Sequence, residues 1–557
     1  MSKDANRDKA NNFNRRRFVK LAAQAALVLP AGSAILAACG DNTATPAGIA
    51  ATTAQAATTA SAATTAAGAT TTAASTAGAA ATAAAATTVE VTSLPPVELL
   101  YTYRAMPQKD TAIVQEELNK LLKAKINATI KLNPIDPGSF DQKLKLSYAA
   151  GEKLDLVFTA PYANDYYQGV SQGNLIPLDD LLAKYAPKTF ASMNASTWNA
   201  ARVNGKIYAI INQQIFVKPW GAIFRKDLAE KYKLDLSSLH KQDDIEPFLK
   251  QVKEGEGINP IVFDDAGGSI LFRPELYNFD SLLDAALVGM KADDKDMKVI
   301  NLAETAEYKE AAERARRWHE AGYYPKDAPS AADATAGFKA GKSAVIIHTD
   351  KPGGNIEYKA RYGWDFVSVT FAKPWLTTAG TTATMTAITR TSANPERAMM
   401  LLELLNTDKE VYNLLCKGIE NKHWVWVDKS KEVIGYANGL TAQTSGYNPN
   451  TDWMFGNQFN AYYINPEQVG AWEATSKLNK DAIPSLALGF AASTENIKTE
   501  IAQVSALVKQ YNWPLQQGRL DPATGIPEFV SKMKASGMDK ILSEVQNQLN
   551  AWKKANA

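Results

Sequence analysis

Beyond residue 96 the spacing of apolar positions changes several times within sixty residues. Val97 to Tyr103 reads as a strand. Asp110 to Ala124 carries Ile113, Val114, Leu118, Leu121 and Leu122 at helical spacing, with Asp110 placed to cap that helix. Ala128 to Leu132 reads as a second strand, Ser139 to Ala150 as a second helix and Leu154 to Phe158 as a third strand. This alternation predicts a parallel sheet with crossover helices, which binds ligands beyond the carboxyl ends of its strands. The loops leaving strands one and three, at Tyr103-Arg104 and Thr159 to Asn164, are therefore the first candidate ligand positions.

Farther along, Asn204-Gly205 between apolar neighbours predicts a hairpin. Helices are expected near 243–254 and 304–321, with short strands at Ile261 to Phe263, Ala344 to His348 and Phe366 to Phe371. Asn394-Pro395 opens a helix running to Asn406. The chain past Thr494 reads as largely helical, with Ile541, Val545 and Leu549 spaced four apart. About 465 residues lie beyond residue 95, too many for one core and suited to two lobes.

The N-terminal part has a different character. From Asn42 to Val89 no residue is charged, and Ala and Thr dominate without an apolar period, which predicts a flexible tether with a mean reach of about 40 Å. Ahead of it, Arg15-Arg16-Arg17-Phe18-Val19-Lys20 and an apolar stretch from Leu21 to Leu36 resemble a twin-arginine export signal, although Asn14 stands where Ser or Thr is usual. Leu36-Ala37-Ala38-Cys39 resembles a lipobox, so Cys39 is expected to carry lipid. A membrane-spanning anchor is disfavoured: the apolar stretch contains Gln24, Pro30 and Gly32 and is short for a hydrocarbon core of roughly 30 Å.

Loss of residues 1–38 moves the formal charge from +2 to −3. With no basic block left, nucleic acid is not expected as a partner. Cys416 then has no internal partner and reads as a buried structural thiol. Catalytic signatures are missing too. None of the four histidines has metal-ligand spacing with another, and no metal or cofactor is expected. Gly337 to Ser343 has three residues between its glycines where a phosphate loop has four, and it precedes a strand. Carboxylate pairs for glycoside hydrolysis remain open, because 58 acidic residues make chance pairs easy.

Several segments in order resemble the sugar-binding branch of the extracellular solute-binding proteins of bacterial ABC importers. They are the lipobox, the Thr-rich tether, the loop Thr159 to Asn164, Gly173 to Leu182, the hairpin at Asn204-Gly205, Phe224 to Leu228, Gly337 to Ala344 and the helix opening at Asn394-Pro395. Gly418 to Trp424, Trp453 to Phe459 and Leu488-Gly489-Phe490 resemble the LplA-like lipoproteins with a C-terminal domain of unknown function (DUF3502), departing from them at Asn421 and Trp424. The resemblance implies an α/β, periplasmic-binding-protein-like two-lobe fold (type II), each lobe a mixed sheet flanked by helices, with the ligand cleft between them. It implies lobe 1 at 96–215 plus 378–405, lobe 2 at 216–377, and a C-terminal domain at 406–557 contributing to cleft and lobe packing. It also implies a carbohydrate ligand, an ABC permease as partner, a lipid anchor through Cys39, a monomer and no enzymatic activity.

A sugar cleft needs aromatic platforms and multivalent hydrogen-bonding groups, and the chain has 11 Trp and 21 Tyr. The expected cleft loops supply Tyr103, Tyr162, Asn164 and Asp165 from lobe 1. Trp220 lies near the first crossing, Asp264, His348 and Asp350 follow lobe-2 strands, and Trp375 precedes the return. Trp453, Phe455, Asn457 and Gln458 come from the C-terminal signature. Core packing competes as a reading for each aromatic; Trp318 and Trp513, at helical positions, are expected as core or inter-helix contacts. Hinges are expected at Asn212 to Pro219, Lys373 to Thr378 and Leu405 to Ile419. A surface glycan-processing enzyme and a peptide-binding lipoprotein of the same fold are the alternatives.

Overall fold

The first three strands, Val97–Arg104, Ala128–Ile135 and Leu156–Thr159, pair in parallel, with Val97–Arg104 in the middle. Helices Thr111–Ile126 and Phe140–Ala150 make the crossovers and bury Val114, Leu118, Leu122, Phe140 and Leu144. Every residue of Leu156–Thr159 is buried, as expected of a strand covered on both faces. The structure, a computed structural model, describes residues 94–556 apart from Lys218, 264–270 and Gln443. The segments expected to be an export signal and a tether, with Cys39, and also Asp264, fall outside the described residues.

Two further strands complete the sheet, Met385–Ile388 and Ala209–Ile211, each antiparallel to its neighbour. Met385–Ile388 returns from a long excursion, so lobe 1 is built from discontinuous pieces of chain. The excursion forms a second core around Trp220–Arg225, which pairs antiparallel with Val345–Thr349 on one side and Phe366–Thr370 on the other. A three-stranded meander, Phe279–Leu283, Val288–Lys291 and Ile300–Asn301, and helices Glu246–Glu256 and Ala306–Glu320 surround it. Trp318 is fully buried there.

The last third of the chain divides between the two cores. Val411, Tyr412, Leu415, Cys416, Met454, Phe455 and Ala461 pack into the lobe-1 core. Ala487, Phe490 and the helices Lys498–Gln516, Pro522–Ala535 and Met538–Ala555 pack into the lobe-2 core. The stripe of Ile541, Val545 and Leu549 is wholly buried, one turn apart on one helix face.

The chain crosses between lobes three times. The first crossing, between Ile211 and Trp220, is tied down by Asn479, which accepts a hydrogen bond from the Phe216 amide (2.8 Å) and donates to the Gln214 carbonyl (2.5 Å). At the second, Trp375–Leu376 pairs in parallel with Ile483–Pro484 of the third. The third crossing thus lies near 483 and not at Leu405 to Ile419, whose helices Pro395–Thr407 and Lys409–Lys417 are anchored in the lobe-1 core.

Local expectations also meet corrections. Ile261 to Phe263 is not a strand; Ile261 makes one isolated bridge to Val345, its amide being taken by the Tyr323 carbonyl. Asp110 makes no side-chain cap, because its carboxylate is engaged by His423 and Lys422. Trp513 stands 36% exposed on its helix, which removes the core alternative and leaves the inter-helix one. The hairpin at Asn204-Gly205 forms with both residues at positive φ, 51° and 78°, as a two-residue turn of matching twist requires.

Candidate functional site

Between the lobes runs a groove with a cavity volume of about 770 Å³. Its lobe-1 wall is made by the segment from Lys417 to Trp472, and its lobe-2 wall by Lys351 and the helix Gly354–Tyr362. The hairpin Trp424–Asp428 with Val433–Tyr436 brings Trp424 and Tyr436 to the groove. Trp424 is locked by its indole donating to the Gly418 carbonyl (2.9 Å) and by edge contacts with Trp426 (5.0 Å) and Tyr462 (5.5 Å). Trp453 is fixed by donating to the Asn450 carbonyl (3.1 Å) and by standing edge-on to buried Phe158 (6.2 Å, 90°). Trp472 stacks on Tyr463 and donates to the Ala461 carbonyl (2.8 Å). Trp453 and Trp472 are half-buried and held by both packing and a hydrogen bond, so they present pre-positioned apolar faces and little rotamer entropy remains to be lost on binding; Trp424, 8% exposed, backs the wall behind them.

Polar groups lie among these faces. Both carboxylates lining the groove are ion-paired, Asp452 with Lys417 and Glu357 with Lys351 (2.9 Å). Gln458 and Gln468 add amides able to donate and accept at once. His423 is almost wholly buried, and its Nδ1 accepts from the Ile419 amide (2.8 Å), so Nε2 carries the proton and donates to Asp110 (3.1 Å). Burial holds the His423 pKa below its ordinary value despite the Asp110 carboxylate beside it.

On lobe 2, Trp220 packs between the Arg273 guanidinium (4.4 Å) and His348 (5.5 Å). The Trp220 indole nitrogen is buried and has no acceptor among the described residues. His348 keeps solvent contact yet is ringed by protein atoms. That partial burial lowers its pKa first, with the charges of Arg273, Arg361 and Lys351 adding to the effect. A neutral imidazole can both donate to and accept from hydroxyl groups. Asp350 accepts from Ser368 and Thr370 (3.0 Å each) and lines an adjoining cavity of about 670 Å³.

The residues expected at the site therefore part company. Trp453 and Gln458 line the interlobe groove. Trp220 and His348 are not among its lining residues, and Tyr162, Asn164 and Asp165 line a separate lobe-1 cavity. Tyr103 and Phe455 are packing residues, 3% and 1% exposed and edge-to-face at 5.0 Å. Trp375 is buried at the second crossing, donating to Asn278 (3.0 Å). The Asn457 side chain accepts from the Phe459 amide (3.0 Å), which caps its own turn. Tyr436, Trp472 and the helix Gly354–Tyr362 were not singled out from sequence; an aromatic with Gly435 or Gly470 close before it is the one signal that marked the first two.

Residues 486–554 match the family described as a domain of unknown function (DUF3502). That match includes Leu488-Gly489-Phe490 but not the segments at 418–424 and 453–459. A carbohydrate ABC transporter substrate-binding protein of Streptococcus pneumoniae serotype 4 is 27% identical over 455 residues, 78% of this chain and 87% of its own. The crystal structure of the N-glycan transport solute-binding protein NgtS from Streptococcus pneumoniae superimposes with a TM-score of 0.73 at 24% identity, covering 83% of this chain and all of that one. The same protein in complex with Man5GlcNAc gives 0.62 at 24% identity over the same shares. The chain has the two-lobe fold of these solute-binding proteins.

Proposed function

We propose that the protein is an extracytoplasmic, lipid-anchored substrate-binding protein that captures an oligosaccharide between its lobes and delivers it to an ABC importer. The observation that carries this reading is the groove itself: locked indoles on lobe 1, amides and paired charges among them, and a lobe-2 helix opposite. Flat apolar faces suit the C–H faces of pyranose rings, and the surrounding donors and acceptors suit their hydroxyls. A ligand touching both walls is bound better by the closed arrangement, and that difference in affinity shifts the lobes towards closure. The carbohydrate reading agrees with the named activities of the relatives, and the export signal with Cys39 supports an anchored position outside the cytoplasm.

Calorimetry of the chain against a panel of oligosaccharides, with mass spectrometry of the recovered ligand, tests the reading. The expected result is a glycan bound with a Kd of about 1 μM or tighter and recovered unchanged. A glycan that is cleaved would establish the enzyme, and stabilisation by peptides but not sugars would establish the peptide binder.

A further inference from the structure

A third cavity, of about 680 Å³, lies wholly on lobe 1, bordered by the helix Phe140–Ala150, the segment from Pro161 to Asn174, and Arg390. Tyr162, 56% exposed, stands on its wall with its ring 6.5 Å from Phe158. On the groove side the same phenyl ring meets Trp453 at 6.2 Å. Trp453 lines the interlobe groove, so the two cavities approach each other across one buried ring. Met385–Ile388 runs antiparallel to Leu156–Thr159, so Arg390 and Tyr162 emerge at opposite ends of that pair, with roughly 10 Å of strand between them at about 3.3 Å per residue.

The cavity is built for a polar occupant. Asn164, at φ 46°, donates through its side chain to the Phe158 carbonyl (2.9 Å) and Tyr148 (3.2 Å), while its amide donates to Asp141 (2.5 Å). Asp165 accepts from the Tyr167 and Gln168 amides (3.0 and 3.1 Å). These bonds fix the loop that carries Tyr162. The side chains of Lys145 and Arg390, by contrast, have no ion-pair partner among the described residues, and both are exposed. An exposed aromatic face with uncommitted donors along one groove is the same chemistry as the interlobe site, in a place that lobe 2 does not touch.

From this we infer that the lobe-1 cavity is a second saccharide subsite, holding the side branch of a branched oligosaccharide whose main chain lies between the lobes. The inference rests on the carbohydrate reading above. Since the subsite belongs to one lobe, a branch held there adds affinity without adding to closure, because only contacts that differ between open and closed states shift that equilibrium. The added affinity comes from the intramolecular linkage of two sites.

The test is calorimetry with a branched glycan and a linear glycan of the same sugar count, on the full chain and on Tyr162→Ala, Arg390→Gln and Trp453→Ala. Tyr162→Ala and Arg390→Gln are expected to weaken the branched glycan about tenfold and leave the linear one within about twofold, whereas Trp453→Ala weakens both. Equal weakening of both glycans by Tyr162→Ala, or no effect on either, overturns the branch subsite while the carbohydrate reading stands on Trp453. A chain that binds neither glycan overturns the carbohydrate reading and the subsite with it.

Discussion

Trp453 and Trp375 are both tryptophans flanked by turn residues, and their environments assign them opposite roles. Trp453 is half-buried and faces the groove, so Trp453→Ala should weaken glycan binding about tenfold while melting changes little. Trp375 is buried against the second crossing and bonded to Asn278, so Trp375→Ala should cost about 3 kcal/mol of stability and lower the melting temperature by several degrees. A common response of the two variants would contradict this assignment. His423 makes a second prediction at this scale. Its folded pKa is depressed, so as pH falls through the unfolded value of about 6.5 the unfolded chain takes up a proton that the folded chain does not, and stability declines. The groups facing the ring are Asp110, Lys422, Tyr447 and the Ile419 amide. His423→Gln should therefore show a shallower loss of melting temperature between pH 7 and 5; a residual slope is expected from His348, whose pKa is shifted the same way. An unchanged slope would mean that the ring is free to protonate in the folded state.

At the scale of elements, the turn at Gly418 decides how the groove wall is set. Gly418 follows the helix Lys409–Lys417 at φ 80° and ψ −154°, a region open in practice only to glycine. A Cβ there would lie 2.5 Å from the His423 Nδ1, and the Gly418 carbonyl holds Trp424. Gly418→Ala should cost about 1–3 kcal/mol and weaken glycan binding, read by melting and calorimetry on one sample. Full binding by a stable variant would show that the turn can relax without moving Trp424. The elements themselves were legible where local pattern and tertiary role agree. The strands and helices from Val97 to Thr159 follow their apolar periods, and Asn204-Gly205 and Pro395 carry turn and helix-start chemistry in the residues themselves, whereas Asn394, expected as the cap of that helix, makes no side-chain cap bond. Ile261 to Phe263 misled because a short apolar run beside buried strands has the same composition whether or not it pairs. Ile483–Pro484 escaped notice because a two-residue strand containing proline has no pattern at all.

For the whole molecule, the two-lobe division followed from chain length and the βαβ signature, whereas the groove did not. Trp424, Tyr436, Trp453 and Trp472 are spread over nearly fifty residues and meet the helix Gly354–Tyr362 only through the tertiary fold. Strand-end logic led to Tyr103, which the sheet buries, and to Tyr162, which opens onto a different cavity. The C-terminal third could not be assigned to one lobe from sequence because its apolar residues serve both cores in turn. Its passage at Ile483–Pro484 adds a strand beside Trp375–Leu376, and the lobes are joined by this ribbon and by the first crossing held at Asn479. If the lobes close on a ligand as proposed, those connections are where they would pivot. Small-angle X-ray scattering of the chain with and without a glycan identified by calorimetry is the most direct measurement of that claim. The account predicts a smaller radius of gyration at saturation, abolished when Trp453→Ala prevents binding at the same glycan concentration; superimposable profiles from free and saturated protein would contradict it.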